Sequence, residues 1–285
     1  MKVRRPDFAG SWYPENEADC RRAIEEFSAV GSPCPEDKEN AIGGIVPHAG
    51  WIFSGRIACN VIECLKRQGD LDTLIIFGRH LHPNSDNFIM EQGRWATPLG
   101  ELEIDTDLAD RLTAEFPFTV ETSSHYEPDN TIELQLPFIK YFFPDIKIVP
   151  MGLPPTVHSL DIAKRAAEIS LDLDRTSIVL GSTDLTHYGY NYGYTPEGVG
   201  PEAVEWVKNV NDKRAVDLMV EMDGEGIIRE AFERYNVCCS GAAGASIEAA
   251  RVLGAKKGEN LIYSTSYDIR PDSSFVGYAG IIFYE

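Results

Sequence analysis

Apolar runs bounded by polar turns alternate along the chain with stretches in which apolar residues recur every three or four positions. Ala41 to Pro47 reads as a buried strand, and Ser54 to Arg67 then places Ile57, Val61, Cys64 and Leu65 at helical spacing. Thr73 to Gly78 (TLIIFG) is the next strand. Glu101 to Ile104 predicts a short strand, followed by a helix through Glu115 that Asp105 or Thr106 caps by accepting the free amides of its first turn. The segment DNTIELQLPFIKYFFP carries two periods at once. Ile132, Leu134, Leu136 and Phe138 alternate as in a strand, whereas Leu136, Ile139 and Phe143 suit a helix with Asn130 at its cap and Glu133 closing a capping box. The helix is preferred, with Pro137 inside it costing about 3 kcal/mol unless packing tolerates a kink.

Farther on, Ile146 to Met151 predicts a strand, Ser159 to Leu171 a helix and Thr176 to Ser182 (TSIVLGS) another buried strand. Pro201 to Tyr235 reads as a helix-rich block with breaks near Asp212 and Gly224, and Gly241 to Leu253 as an alanine-rich helix. Asn260 to Ser266 and Ser274 to Tyr284 are expected as closing strands, the second antiparallel at an edge. Strands alternating with helices predict an α/β protein with a mainly parallel central sheet flanked by helices. No linker or repeat divides residues 1–285, so a single domain is expected. The glycine and tyrosine-rich stretch Tyr188 to Gly200 is long enough to be either a functional loop or a surface excursion.

Composition narrows the function. The formal net charge of -19 should repel phosphate backbones and anionic lipid heads, so neither nucleic acid nor membrane is an expected partner. The strongest basic cluster is only Lys2, Arg4 and Arg5. No apolar run approaches a membrane span, and the start MKVRRPDFAGSWYP lacks the apolar stretch of a signal peptide, which predicts a cytoplasmic protein. Six cysteines (Cys20, Cys34, Cys59, Cys64, Cys238, Cys239) form no CxxC pair, so reduced thiols are the default, with Cys59 and Cys64 read as small core residues of one helix.

Candidate chemistry gathers where strands end. His48 follows Pro47 in VPHAGWIFSG, His80 and His82 follow TLIIFG in FGRHLHPNSD, and His187 follows TSIVLGS in STDLTHYG, three residues after Asp184. Open α/β sheets collect ligands at strand ends of this kind. Neutral imidazoles suit iron, copper, nickel or zinc, and Asp184, Glu133 or the cysteine pair can supply a third donor. Cys238 and Cys239 precede a helix whose dipole favours thiolate. Because adjacent side chains usually diverge, only one of these thiols is expected in the site. His125, in SSHYEPDNTIE, either borders the pocket or decorates a loop. No GxSxG elbow or phosphate-cradling glycine loop is present.

Taken in order, RRPDFAGSWYP, VPHAGWIFSG, GRHLHP, NTIELQLPF, STDLTHYG and NVCCSG resemble the motifs of the Memo family, the B component of the AmmeMemoRadiSam system in prokaryotes. The resemblance implies a fold like that of the class III extradiol dioxygenases, whose site holds ferrous iron. It also implies His48, His82 and Cys239 as metal ligands, with Asp184 and His187 beside them as a catalytic polar pair. His82 is preferred to His80 because it lies four residues after Gly78, the family's spacing. Asn130 stands where many relatives have histidine, and GRHLHP lacks the proline and serine that usually follow its glycine.

The expected function is therefore a metal-dependent redox enzyme using iron or copper, with zinc and a hydrolytic role as an alternative. A non-catalytic adaptor that binds a small molecule or peptide in the same pocket is the other reading, for which Trp51, Phe53, Tyr188, Tyr190 and Tyr192 would serve unless they simply pack. The resemblance adds AMMECR-domain and radical SAM proteins as expected partners.

Overall fold

A computed structural model describes residues 2–30, 34, 41–66 and 71–285. Its strands are β1 (Val3–Arg4), β2 (Ala41–Val46), β3 (Thr73–Gly78), β4 (Phe88–Met90), β5 (Arg94–Thr97), β6 (Gly100–Ile104), β7 (Thr119–Glu121), β8 (Lys147–Gly152), β9 (Ser177–Ser182), β10 (His187–Tyr188), β11 (Lys257–Thr265) and β12 (Phe275–Tyr284). The helices are α1 (Glu17–Ala29), α2 (Trp51–Leu65), α3 (Thr106–Glu115), α4 (Asn130–Glu133), α5 (Leu136–Phe142), α6 (Val157–Asp172), α7 (Pro201–Trp206), α8 (Asp212–Val220), α9 (Gly224–Arg234), α10 (Ser240–Val252) and α11 (Ser266–Ile269).

The centre of the sheet runs β6-β8-β3-β9-β2 with every neighbouring pair parallel. Strands covered on both faces must be apolar at every position, and β2 and β3 are buried throughout. The expected α/β class with a mainly parallel sheet between helices is what forms. The order places the C-terminal ends of β3, β9 and β2 side by side, although they are far apart in sequence. Helix α10 packs across these three strands. Its approach is close enough that a Cβ on Gly181 would lie 2.4 Å from Ser246 Oγ.

Several expectations change. The final strand is not an edge: β12 pairs with β2, β11 and β10, as its almost wholly buried sequence FVGYAGIIFY requires. Pro137 costs no kink, because the helix breaks after Glu133 and the proline opens α5, where its missing N–H goes unused. Asp129, not Asn130, caps α4 by accepting from the Thr131 amide. Helix α2 begins at Trp51, three residues earlier than its apolar spacing suggests, and Arg67, its expected end, lies outside the described residues. Cys59 is a buried thiol, but Cys64 is bonded to Cys34 across 5.6 Å between Cα atoms, so these two are not free thiols.

The basic cluster at the N-terminus is not a surface patch. Arg4 is fully buried, its guanidinium stacked 3.6 Å from the centre of Trp95 and 4.1 Å from that of Tyr126. Its Nη1 meets Glu121 at 3.0 Å, and Glu121 also binds Arg79 at 2.7 Å. Among the described residues, no helix is long and apolar enough to cross a membrane. Removing a buried charge that pairs, stacks and donates should be costly, so Arg4→Ala is expected to lower unfolding stability by about 3 kcal/mol. Urea denaturation checks this. Arg4→Lys should recover less than half, because an ammonium cannot reproduce the paired bonds of a guanidinium to Glu121 and the Glu127 carbonyl.

Candidate metal centre

Each strand end delivers its residue through identifiable local chemistry. After β2 the chain turns at Pro47, and the His48 amide donates to Asp184 Oδ1 at 2.7 Å. The His48 ring is buried, with Nδ1 lying 3.0 Å from Ser182 Oγ. Ser182 spends its own proton on the Thr131 carbonyl at 2.7 Å. Its oxygen therefore accepts from Nδ1–H, so that in the neutral ring Nε2 is the lone-pair nitrogen. That nitrogen points at Cys238 Sγ, 3.4 Å away.

After β3, Arg79 adopts the left-handed conformation at φ 73°. Its amide is held by Thr131 Oγ1 at 2.7 Å and its guanidinium by Glu121. These contacts hold a backbone conformation unusual for arginine, and the next residue, His80, turns toward the cysteine pair while staying exposed to solvent. His80 Nδ1 consequently reaches 3.3 Å from Cys239 Sγ. His82 does not join the cluster. It is exposed and heads a tight turn in which its Nδ1 accepts from the Asn84 amide and its carbonyl from the Ser85 amide. The expectation of His82 as the inward imidazole is thus corrected to His80.

Both thiols face the same point, against the expectation that only one would. The Cys238 amide donates to the Asp184 carbonyl at 3.1 Å, the Cys239 amide to Thr183 Oγ1 at 3.0 Å, and the two sulfurs lie 3.7 Å apart. Cys239 sits at the N-cap of α10, at φ -123° and ψ 59°, outside helical geometry. The ligating atoms of His48, His80, Cys238 and Cys239 all fall within 4.8 Å of one another. Tetrahedral bonds of about 2.0 Å to nitrogen and 2.3 Å to sulfur leave neighbouring donors about 3.3 to 3.8 Å apart. The three contacts of 3.4, 3.3 and 3.7 Å match that spacing.

Electrostatics reinforce the arrangement. Burial disfavours a charged His48, yet the Asp184 carboxylate and the Cys238 sulfur outweigh it and push the ring up to about 9. Cys238 is held well below the usual thiol range despite burial, by the hydrogen bond with Cys239 and by the charge of His48. Cys239 is pushed up by burial and by its neighbour's negative charge. The two shifts run in opposite directions, so Cys238 is the sulfur of the pair that loses its proton more readily. His187 is also raised, burial being outweighed by Asp184 and Cys238.

Asp184 Oδ2 lies 4.0 Å from His48 Nε2 and 3.9 Å from His187 Nε2, so the expected Asp184 and His187 pair does come together beside the cluster. The ring of Tyr192 stacks on His187 at 4.9 Å. Beneath this loop, the buried carboxylate of Asp212 accepts from the Thr186 amide at 3.0 Å and from Tyr263 Oη at 2.7 Å. Burial raises it to about 6. A turn of π-helix over Val207–Asn211 precedes it, and nothing in the sequence marked Asp212 beyond a helix break.

His48, His80, Asp184 and His187 open onto a cleft of about 1140 Å³. Its other wall is the N-terminal segment Gly10 to Pro14. Glu133, a candidate donor from sequence, is instead a structural clamp for this wall: its buried carboxylate accepts from the amides of Asp7 at 2.8 Å and Phe8 at 2.7 Å and from Tyr13 Oη at 3.0 Å. Asn130 lines the cleft and donates to the His48 carbonyl at 3.2 Å. His125 is exposed in a turn closed by reciprocal backbone bonds with Thr122 and does not reach the cleft. Trp51 packs face to face on Phe138 at 4.1 Å and Tyr188 on Phe275 at 5.2 Å, and Trp51, Phe53 and Tyr192 line the cleft.

A family model described as Memo-like protein matches residues 4–282. A MEMO1 family protein of Thermococcus onnurineus is 32% identical over 290 residues, covering 99% of each chain. One from Methanopyrus kandleri is 33% identical over 295 residues, covering 98% of each. A solved structure of an uncharacterized protein from Escherichia coli K12 aligns at a TM-score of 0.43 and 12% identity, over 77% of this chain and 90% of that one, a likeness too loose to carry an argument. Because one carboxylate holds the cleft wall, Glu133→Ala should free residues 7 to 14. Limited proteolysis is expected to cut within this segment at least tenfold faster in the variant; an unchanged rate would show that Glu133 is not the clamp.

Proposed function

Taking as premise that this chain belongs to the Memo family, we propose that it is a metal-dependent oxidoreductase whose centre is His48, His80 and Cys239, with Cys238 as a fourth donor. The observation that carries this reading is the convergence of two sulfurs with two imidazoles that line a cleft large enough for a substrate, all four donors within 4.8 Å of one another. The donor set is soft, which suits copper(I) or iron. A bound ion of either metal would supply one-electron chemistry toward a substrate or dioxygen.

This chain's own residues would do the rest. Ser182 fixes the His48 tautomer so that Nε2 is the coordinating atom. His187, half exposed at the cleft and within ion-pair range of Asp184, would hold or deliver a proton at Nε2. Asp184 and Cys238 raise its pKa above the ordinary imidazole value, against the effect of burial. The wall from Gly10 to Pro14 would exclude water from one side of a bound molecule.

A second reading has its own support. Four protein donors at tetrahedral spacing complete the coordination that zinc prefers, and such a closed site holds structure rather than activating water. Redox titration of loaded protein separates the two, because zinc is silent.

The direct test is metal content after anaerobic purification and reloading, followed by titration with cobalt(II), whose thiolate charge-transfer bands report sulfur ligation. One ion per chain is expected. His48→Ala and His80→Ala should each weaken binding by at least a hundredfold, while His82→Ala should leave it within twofold. The reading fails if the first two variants bind as the unaltered protein does.

Acid should also weaken binding. With His48 at about 9 in the metal-free protein, the ring carries a proton below that pH which an incoming ion must displace. Apparent affinity is therefore expected to fall roughly tenfold per pH unit for each proton released as pH drops from 8.5 to 6.5. Competition against a chelator of known affinity measures it.

A further inference from the structure

Adjacent cysteines in extended or helical backbone usually aim their sulfurs apart, yet the sulfurs of Cys238 and Cys239 approach to 3.7 Å. We propose that these two residues are also a dithiol redox pair, which hydroperoxides oxidise to a vicinal disulfide and small thiols reduce again. The pairing is set by the backbone and needs no ion: the Asp184 carbonyl and Thr183 Oγ1 hold the two amides, and Asp184's own amide donates to Cys238 Sγ at 3.2 Å.

A disulfide bond is about 2.05 Å long, so closure requires the sulfurs to approach by a further distance of about 1.7 Å. Neighbouring Cα atoms about 3.8 Å apart are closer than ordinary disulfides allow, so the eight-membered ring is strained. Strained disulfides have the more oxidising potentials and are readily reduced, which makes the pair reversible rather than structural.

The order of events follows from exposure. Cys238 is partly exposed and Cys239 is buried, so an oxidant meets Cys238 first. The Cys238 sulfur attacks one peroxide oxygen; an S–O bond forms, the O–O bond breaks, and the thiol proton leaves with the departing alcohol or water. The Cys239 sulfur then attacks the Cys238 sulfenic acid; the S–S bond forms and the S–O bond breaks, with hydroxide taking the Cys239 proton to leave as water. Two thiols are oxidised and one hydroperoxide is reduced. No other thiol competes, because Cys20 and Cys59 are buried elsewhere and Cys34 is bonded to Cys64.

A sulfur tied into this bond no longer offers a thiolate, so oxidation and metal binding should exclude each other. That corollary rests on the metal reading, whereas the redox pair does not.

The test uses the metal-free full-length protein, one equivalent of hydrogen peroxide, alkylation of free thiols, and peptide mapping by mass spectrometry. The expected product is a peptide that has lost two hydrogens between Cys238 and Cys239, regains them with dithiothreitol, and is absent from Cys238→Ser and Cys239→Ser. Accumulation of sulfinic acid at Cys238 with no linked species, or linkage of Cys238 to Cys20 or Cys59, overturns the proposal. The map is read on the unaltered protein, so a serine variant that fails to fold does not remove the answer. Protein loaded with zinc should form the linked peptide at least tenfold more slowly, and equal rates at full occupancy overturn the exclusion. A protein that takes up no zinc fails the metal reading and leaves the result on the metal-free protein standing.

Discussion

One buried carboxylate ties the site together. Asp184 Oδ1 accepts the His48 amide at the end of β2, its carbonyl accepts the Cys238 amide before α10, and its own amide donates to Cys238 Sγ. Its second oxygen faces His48 and His187 at about equal range. Three segments separated by up to 190 residues are thus registered by a single side chain and its peptide group. A charge in a dry setting is costly unless every lone pair is used. Here that cost is offset by an amide and two imidazoles, both of which are pushed toward the charged form.

The same logic extends to the cluster of two sulfurs and two imidazoles beside it. Cys238 is pushed toward the thiolate and His48 toward the imidazolium, opposite charges that favour each other across 3.4 Å, while Cys239 is pushed toward the neutral thiol. On the metal reading, an arriving cation would replace protons rather than reorganise the backbone, so little conformational entropy would be lost on binding.

The sequence was legible where periodicity and burial agree. Strands β2, β3 and β9 are apolar on both faces and were visible as unbroken runs; the residues after their ends, His48 and His187 among them, meet around Asp184 because a parallel sheet brings such ends together. Short strands such as β4, β7 and β10 carry too few residues to display a period, and the all-buried β12 looked the same whether central or at an edge. His80 was passed over because its direction depends on Arg79 adopting φ 73°, and that conformation is stabilised by Thr131 and Glu121, which lie some 40 to 50 residues away. Cys238 was discounted on a rule about neighbouring side chains that holds for regular backbone and fails at a helix cap. Asp212 carried no signal at all, since a buried carboxylate and a surface one read alike in a charge count.

The N-terminal segment completes this dependence on distant partners. Arg4 binds one oxygen of Glu121 while Arg79 binds the other, and both guanidinium groups donate to the Glu127 carbonyl. The brace that fixes β1 is therefore also the brace that turns His80 inward. A few residues later the same segment is clamped by Glu133 and continues to Trp12, whose carbonyl accepts the Trp51 amide at the start of α2. Residues 3–14 thus join two jobs, walling the cleft and setting one of the imidazoles that line it. A change that loosens β1 must act on both, so the cleft wall and the His80 donor are mechanically one unit.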